Sequence, residues 1–347
     1  MKKISTAIWA SNLSSETGEG ILATHFLENF FLKNKKKLVE IKTLEQSFIY
    51  NDYNLPKKKI INNNTFLHKY FGPFYGIYYL WSNRDKNIVY VNYLPLWNFL
   101  IFLFLPKKTI IGPITGGIYN NEVANFSSFL RKYIFPIFYR ISVFIIYRKF
   151  KGVIFSTDLL RNYIPKSRYR FTLFNFVFTH FFLKYKKKNT KKKTKIFDLI
   201  FYNRNHSAKT SIIRNSIINF LSRHYKICVV GDFYNNINVI NYGYVARNKI
   251  YDLLEKSEIA LTSEENFFSL FVIDAINCNL KIISFNNTFY NVNLKKYFFF
   301  IKENKNFLLI KNKIQKILSL NSKYDKNFKQ RIYLQKKKIN NFIRNIG

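Results

Sequence analysis

Two cations that follow an apolar segment are the first residues whose type and spacing suit chemistry. Residues 198–202 are largely apolar, and Arg204 and Lys209 come in the segment directly after them. Such a run is typical of a buried strand, so both cations are expected in a loop at its carboxyl end. Arginine offers a planar fork of donors and lysine a mobile point charge, which together suit a diphosphate. In so basic a chain the pair could also stand there by chance.

A second candidate segment runs from residue 243 to residue 284. Gly243 and Val245 precede a predicted helix, and a predicted strand at 259–262 leads into a polar loop. The loop and the predicted helix after it, at 270–277, supply the other candidates: Glu265, Asn266, Ser269, Leu270 and Asp274.

The chemistry of this segment follows from its predicted elements. The N–H groups at the start of a helix bind phosphate, because they lack partners within the helix and lie at the positive end of its dipole. The carboxylate of Asp274 could accept hydrogen bonds from a ribose diol, as acids in dinucleotide sites do. It could equally be a charge on the helix surface, and Glu264 and Glu265 could form a charged turn.

These segments resemble the second domain of the GT4-type retaining glycosyltransferases (glycosyl transferases group 1), which have the GT-B fold. The family's Arg-x4-Lys pattern is matched by Arg204 and Lys209. Its Gly-x-Val pattern is matched by Gly243 and Val245. The latter part of its Glu-x7-Glu motif aligns with residues 268–275, which read Phe-Ser-Leu-Phe-Val-Ile-Asp-Ala.

The resemblance assigns a role to each matched residue. It implies that Arg204 and Lys209 hold the donor diphosphate and carry the largest share of the rate, and that Asp274 binds the ribose. Residues 243–245 would lie near the base. Backbone N–H groups around Ser269 and Leu270 would meet phosphate or sugar.

The chain departs from the family pattern at several of these positions. Asp274 stands where the family has a longer glutamate, and Ser269 and Asn279 stand where it often has glycine. Asn266 takes the place of the first acid and Glu265 lies beside it. The residue that addresses the donor sugar is therefore left open between these two.

The first half of the chain supports the same resemblance with shorter motifs. Gly18 and Gly20 follow the first predicted strand and begin a helix, where small residues let backbone N–H groups approach an anion. Residues 112–117 resemble a Gly-Pro-x-x-Gly-Gly turn beside the acceptor in some related enzymes, and 175–177 resemble a family Asn-Gly-Val turn.

Apolar runs alternate with helical patterns along the chain, which is typical of βαβ units and a mainly parallel sheet. With the resemblance, this predicts an α/β protein of the GT-B fold, with two Rossmann-like domains facing each other across a cleft. The predicted parts are an acceptor-side domain at 1–183, a Lys-rich linker at 184–195, a donor-binding domain at 196–320 and a helical tail at 321–347.

The net charge of +38, from 57 Lys and Arg against 19 Asp and Glu, favours a phosphate-bearing partner. The abundance of Lys, Asn, Ile, Phe and Tyr is also what an AT-rich genome produces, so charge alone decides little. Nucleic acid is an unlikely partner, since no fold signature of a DNA or RNA reader is present. Cys228 and Cys278 are distant from each other, fit no metal spacing and suit core positions in a reduced compartment.

Residues 88–106 carry no charge and approach the length needed to span a membrane. Asn92, Pro95 and Asn98 interrupt them, so a strand and a short helix are the preferred interpretation. We expect a cytoplasmic protein that contacts the cytoplasmic face of an anionic inner membrane peripherally, through aromatics and lysines of the first domain.

The combined hypothesis is sugar transfer from a nucleotide-sugar donor to a glycan or lipid-linked acceptor in surface polysaccharide or glycoconjugate biosynthesis. No cofactor or metal is expected, since no Asp-x-Asp motif is present. Three alternatives stay open. The first is another GT-B reaction such as epimerisation of a nucleotide sugar, and the second is a catalytically silent membrane-associated component of a glycan assembly complex. The third is a basic nucleic-acid-binding module.

Overall fold

The structure is a computed structural model of the 347-residue chain. It describes residues 4–13, 18–30, 38–44, 47–50, 66–91, 94–116, 126–180, 194–203, 212–262, 269–285, 298–302, 306–320, 330, 333–334, 337–339 and 341–342. The chain divides into two compact units. The first comprises residues 1–116, 133–176 and 337–347, and the second comprises 117–132 and 177–336. Most of the predicted linker at 184–195 lies outside the described residues.

The first unit is built on a five-stranded sheet in the order β3-β2-β1-β4-β5, parallel except for β3, which is antiparallel to β2. The helices and strands up to residue 173 are β1 (Ile4–Ala10), α1 (Gly18–Phe30), β2 (Leu38–Lys42), β3 (Ser47–Tyr50), α2 (Phe66–Ser82), β4 (Asn87–Val91), α3 (Phe99–Phe104), β5 (Ile110–Ile111), α4 (Phe126–Phe129), α5 (Phe135–Lys149), β6 (Val153–Ile154) and β7 (Thr172–Leu173). Of these, only α4 belongs to the second unit.

The central strand β1 explains why this sheet is covered on both faces. Its residues from Ala7 to Ala10 are fully buried, as expected of a parallel strand with helices on either side. Trp9 pairs with Tyr90 of β4 and lies under α2. Gly76 of α2 permits this packing, because a Cβ there would lie 2.3 Å from the indole nitrogen of Trp9.

The second unit is built on a six-stranded, wholly parallel sheet in the order β10-β9-β8-β11-β12-β13. Its elements are β8 (Phe197–Asn203), α6 (Ile212–Leu221), β9 (Ile227–Gly231), β10 (Val239–Asn241), α7 (Arg247–Glu255), β11 (Ser257–Leu261), α8 (Leu270–Asn277), β12 (Lys281–Ser284), β13 (Phe299–Phe300) and α9 (Phe307–Ser319). The strand order reverses direction at β8 and β11, which is the switch point where ligands of open α/β sheets bind.

Both sheets confirm the alternation predicted from the sequence. The helix predicted at 270–277 has the observed bounds, and the strands predicted at 198–202 and 259–262 agree with β8 and β11 to within two residues at each end. Elements that the sequence did not predict include β3, α2 and α9. Among the described residues, no helix is long and apolar enough to cross a membrane.

The end of α8 explains why asparagine can replace the glycine of the family pattern at position 279. Asn279 has φ of +59°, and the N–H of Leu280 donates to the carbonyl of Ala275 at 3.0 Å. This is a Schellman ending, in which the residue after the helix must be left-handed. Asparagine tolerates that conformation better than other non-glycine residues, so the helix still ends at the same place.

Two glycines at the carboxyl edge of the second sheet provide a matched test of backbone geometry. Gly231 has φ of +98°, and a Cβ there would lie 2.3 Å from the backbone oxygen of Asn203. Gly243 has φ of +67° and meets no described atom within 4 Å. We expect Gly243→Ala to cost about 1 kcal/mol from backbone strain alone. Gly231→Ala adds a backbone clash and should lower the thermal unfolding midpoint at least twice as far; equal losses would contradict the close approach.

Candidate functional site

The carboxyl ends of the parallel strands of the second unit meet at one edge of its sheet. β8 ends at Asn203 and continues into the segment that contains Arg204 and Lys209, whose structure lies outside the described residues. Leu261 of β11 pairs with Phe201 of β8, so Thr262 follows at the same edge. The two strands that flank the switch point therefore end side by side.

Hydrogen bonds fix the ends of β8 and β9 against each other. The backbone N–H of Asp232 donates to the carbonyl of Asn203 at 3.0 Å. The amide of Asn203 donates to the carbonyls of Asp232 and Phe233 at 3.1 and 3.3 Å. Because Asn203 is buried, this network fixes the direction in which the chain leaves β8 towards Arg204.

Gly243 and Val245 lie in the connection from β10 to α7. The carbonyl of Gly243 accepts from the N–H of Gly231 at 2.9 Å, which joins the end of β10 to the end of β9. Tyr244 is 70% exposed, and its hydroxyl donates to the carboxylate of Asp232 at 2.6 Å. The connection thus places an open backbone and an exposed aromatic ring beside the strand ends.

The N-terminus of α8 lies next to the end of β8. Ser269 is its N-cap, and the serine Oγ accepts from the N–H of Val272 at 3.2 Å. Helix geometry leaves the N–H groups of Leu270 and Phe271 directed out of this end. The ring of Phe271 packs on Tyr202 of β8 with centroids 6.2 Å apart, one residue before the carboxyl end of that strand. Serine in place of the family's glycine is therefore a helix cap.

A buried hydroxyl adds to this edge. Thr262 is 2% exposed, and its Oγ1 has no hydrogen-bond partner among the described residues, although its N–H donates to Ile283. Buried hydroxyl groups are nearly always hydrogen-bonded, so an orphaned one marks a position where a further polar group fits. It precedes the loop 263–268, which contains Glu265 and Asn266 and lies outside the described residues.

Asp274 is held by two side chains of α7. Its carboxylate is 3% exposed. Arg247 donates from Nε to Oδ2 at 3.1 Å and from Nη2 to Oδ1 at 2.7 Å, and the Tyr251 hydroxyl donates to Oδ1 at 2.5 Å. Of the two interpretations of Asp274 that the sequence allowed, the exposed surface charge is therefore wrong. The acid is a buried ion-pair partner that joins two helices.

The electrostatics of this group follow from burial and pairing. Burial raises the pKa of Asp274 above its ordinary value, and the hydrogen bonds and charge of Arg247 and the hydrogen bond of the Tyr251 hydroxyl oppose this rise only in part. Burial, followed by the charge of Asp274, raises the pKa of Tyr251, so its hydroxyl stays protonated and remains a donor. Burial by itself would lower the pKa of Arg247, but Asp274 raises it overall. The arginine therefore stays charged.

Several predicted residues are thus placed together and others are not. Gly243, Val245, Ser269, Leu270 and Asp274 belong to one unit, and the first two lead directly into the helix that carries Arg247. Arg247, Tyr251 and Thr262 were not among the residues predicted from the sequence. The available signal was Arg and Tyr at i and i+4 of a predicted helix, which places both on one face.

The glycines of the first half lie in the other unit. Gly18 is the first residue of α1 and Gly20 is in its first turn, directly after β1 and residues that the structure does not describe. Neither has a positive φ, so small size rather than backbone freedom distinguishes them. Asn175 does have φ of +61°, and its buried amide donates to Asp158 at 3.2 Å. Asn175 therefore has the left-handed backbone conformation that asparagine tolerates in turns.

Metal and thiol chemistry find no support in the part of the chain that the structure describes. No group of three or more His, Cys, Asp or Glu side chains there could hold a metal ion. Cys228 is a fully buried core residue of β9. Burial raises the pKa of its thiol to about 12, so the thiol stays protonated and is not a nucleophile.

Removing Arg247 tests the buried ion pair. Arg247→Ala would leave the carboxylate of Asp274 buried without its countercharge, which should cost about 3 kcal/mol or more in the free energy of unfolding. Lys249→Ala is the matched control: it lies on the same helix and pairs with Asp252 at 3.7 Å, but its side chain is 49% exposed. That loss should stay below about 0.5 kcal/mol.

Urea unfolding followed by fluorescence would measure both variants. The double variant Arg247→Ala/Asp274→Asn should recover part of the lost stability, because a neutral amide replaces the unpaired carboxylate. A loss for Arg247→Ala no larger than for Lys249→Ala would show that the pair does not hold α7 against α8.

Comparisons with known proteins match this chain by structure and not by sequence. A scan against protein-family models gives no match, and a search of curated proteins gives no significant one. The UDP-GlcNAc 2-epimerase of Methanocaldococcus jannaschii, in complex with UDP-GlcNAc and UDP, superimposes with a TM-score of 0.55 at 10% identity, covering 94% of this chain and 96% of that one.

Two further structures match over nearly the full length of both chains. HepE of Anabaena, in complex with UDP and glucose, has a TM-score of 0.51 at 12% identity, with 97% of this chain and 95% of that chain covered. UDP-N-acetylglucosamine 2-epimerase from Rickettsia bellii has a TM-score of 0.51 at 11% identity, with 99% and 97% covered. The chain therefore has the predicted GT-B fold with two Rossmann-like domains.

Proposed function

We propose that this protein is a sugar-nucleotide enzyme that transfers a glycosyl group from a nucleotide-sugar donor to a glycan or lipid-linked acceptor, with retention. The observation that carries the proposal is the juxtaposition at the switch point of the second sheet. The end of β8, from which the segment with Arg204 and Lys209 continues, lies beside the N-terminus of α8 and the orphaned hydroxyl of Thr262. Cations, helix N–H groups and a hydroxyl are hydrogen-bond donors that suit a diphosphate.

The leaving group decides which residues contribute most to the rate. In glycosyl transfer from a nucleotide sugar, negative charge develops on the leaving diphosphate, so preplaced donors lower the barrier. Arg204 and Lys209 supply the cations, and the N–H groups of Leu270 and Phe271 supply dipolar donors. No step in this scheme requires a metal ion, and activity in the presence of a chelator tests that part directly.

The ribose is assigned to Asp274, with Arg247 and Tyr251 holding the acid in place. An ionised carboxylate accepts about four hydrogen bonds, and three are already made by these two side chains. One acceptor position on Oδ2 is left for a ribose hydroxyl. The base would lie by residues 243–245, where Tyr244 offers an exposed ring for stacking. The donor sugar would be addressed by Glu265 or Asn266.

The proposed acceptor also suggests a place in the cell. A lipid-linked glycan in surface polysaccharide biosynthesis would bring the enzyme to the cytoplasmic face of an inner membrane as a peripheral protein. The basic composition, with a net charge of +38, suits an anionic surface.

A thermal-shift screen against nucleotide sugars and nucleoside diphosphates tests the donor site. A ligand that binds the folded state raises its unfolding midpoint. At a ligand concentration of a hundred times the Kd, the free energy of unfolding rises by about 2.7 kcal/mol. Arg204→Ala/Lys209→Ala should abolish the shift and lower transfer or donor hydrolysis by about a hundredfold or more. Lys186→Ala/Lys187→Ala, in the predicted linker, is the matched control and should behave as wild type.

Two results would overturn the assignment. A double variant of Arg204 and Lys209 that turns over nucleotide sugars as fast as wild type would remove these residues from the reaction. Calorimetry that detects no nucleotide-sugar binding by the wild-type chain would instead favour a catalytically silent component of a glycan assembly complex.

Epimerisation of a nucleotide sugar is the second candidate. It is favoured by the fold comparison, in which two of the three reported structures are UDP-GlcNAc 2-epimerases, including the one with the TM-score of 0.55. Incubation with a single nucleotide sugar and no acceptor separates the reactions. A new epimer still joined to its nucleotide would identify an epimerase. Release of the nucleoside diphosphate, accelerated by a glycan acceptor, would identify a transferase.

A further inference from the structure

The helices α2, α3 and α5 of the first unit expose apolar stripes where a surface helix normally carries polar residues. Between residues 71 and 81 of α2, the exposed positions follow the helical period and are aromatic, with exposed fractions between 41% and 69%: Phe71, Phe74, Tyr75, Tyr78 and Trp81. On α3 they are Leu100, Leu103 and Phe104, and on α5 they include Ile137, Ile141 and Phe144. Scattered exposed apolar residues are ordinary, but a contiguous group marks an interaction site.

Direct contacts join the three stripes into one surface. The indole of Trp81 donates to the carbonyl of Phe104 at 2.8 Å, which links the ends of α2 and α3. Phe99 of α3 and Phe138 of α5 pack with ring centroids 5.4 Å apart. Every residue of this aromatic surface belongs to the first unit, whereas the switch-point site belongs to the second.

Cations gather at the end of the aromatic surface where the three helices terminate. Lys149 of α5 donates to the carbonyls of Phe102 and Leu103, at 3.2 and 2.5 Å, and so caps α3. Arg148 lies over the ring of Phe144 at 3.9 Å. Three more lysines follow the ends of these helices in the sequence and are exposed: Lys107 and Lys108 after α3, and Lys151 after α5. None of these five cations forms a salt bridge with a carboxylate that the structure describes.

The positive charges at the cationic end repel one another. Burial lowers the pKa of Lys149, and the neighbouring charge of Lys107 lowers it further. A phosphate-bearing headgroup between such lysines would relieve this repulsion. Aromatic side chains bordered by Lys and Arg have the composition of segments that lie in the interface of a bilayer with acidic lipids.

We infer that the aromatic surface of α2, α3 and α5, with its cationic end, docks the first unit onto a bilayer that contains anionic phospholipid. The aromatics enter the boundary between headgroups and acyl chains, and the cations bind the lipid phosphates. This docking is peripheral, since each helix lies along the surface of the unit. It does not depend on which reaction the second unit performs.

Sedimentation of the full-length chain with vesicles tests this surface. Wild type is expected to bind vesicles of phosphatidylcholine with phosphatidylglycerol, and to bind phosphatidylcholine alone more weakly. Phe71→Ser/Tyr78→Ser should reduce partitioning on the order of tenfold with both vesicle types, because both rings lose their apolar contact. Lys107→Ala/Lys108→Ala should reduce it about 30-fold with anionic vesicles only, at about 1 kcal/mol per lysine near the surface.

Matched controls separate docking from the general basicity of the chain. Leu308→Ser/Leu309→Ser removes two exposed apolar side chains from α9 of the second unit, and Lys313→Ala/Lys316→Ala removes two exposed lysines from the same helix. Both should bind vesicles as wild type does. Unchanged thermal unfolding midpoints would show that all four variants are folded.

The inference fails if the control variants lose as much binding as the surface variants, or if Phe71→Ser/Tyr78→Ser binds as wild type. It also fails if the wild type binds no vesicles but sediments as a dimer that Phe71→Ser/Tyr78→Ser disperses. That result would assign the surface to a second copy of this chain.

Discussion

The buried carboxylate of Asp274 is the constraint on which the second unit depends. A charge that is 3% exposed is tolerated only with a partner, and Arg247 provides two hydrogen bonds with its positive charge. The arginine is also the first residue of α7, directly after the connection that contains Gly243 and Val245. One ion pair therefore fixes the position of α7 against α8. Because the connection with Gly243 and Val245 leads directly into α7, the pair also positions that connection at the carboxyl edge of the sheet.

The same edge is organised by backbone as much as by side chains. Gly231 brings the end of β9 so close to Asn203 that no side chain fits between them. Asn203 then uses its amide on the carbonyls of the next loop, so its own polar group is satisfied within the protein. Thr262 is the contrast: its buried hydroxyl has no described partner. The edge is therefore hydrogen-bonded internally at β8 and β9, whereas at β11 it presents a buried hydroxyl without a partner among the described residues.

The parallel strands could be predicted because each is a short apolar run between polar segments, and burial on both faces requires that pattern. Helix α2 could not, for reasons visible in its residues. Gly72, Pro73 and Gly76 argue against a helix locally, and aromatics on the exposed face remove the polar half of the period. The role of Asp274 was out of reach for another reason. Its partners lie on a helix 23 and 27 residues earlier, and only tertiary packing brings them together.

The net charge of +38 can be interpreted only when the contacts of the individual cations are compared. Arg247 is committed to Asp274, and Lys249 and Lys256 share Asp252, so these cations serve helix packing. The lysines where α3 and α5 end have no such described acid, and Lys149 among them caps the helix that exposes Phe104. A composition rich in Lys, Phe and Tyr would scatter cations and aromatic rings alike over the surface. The inferred lipid contact therefore rests on placement and not on composition, because the exposed aromatic side chains follow the helical period of α2 and Lys149 caps α3 where both helices end.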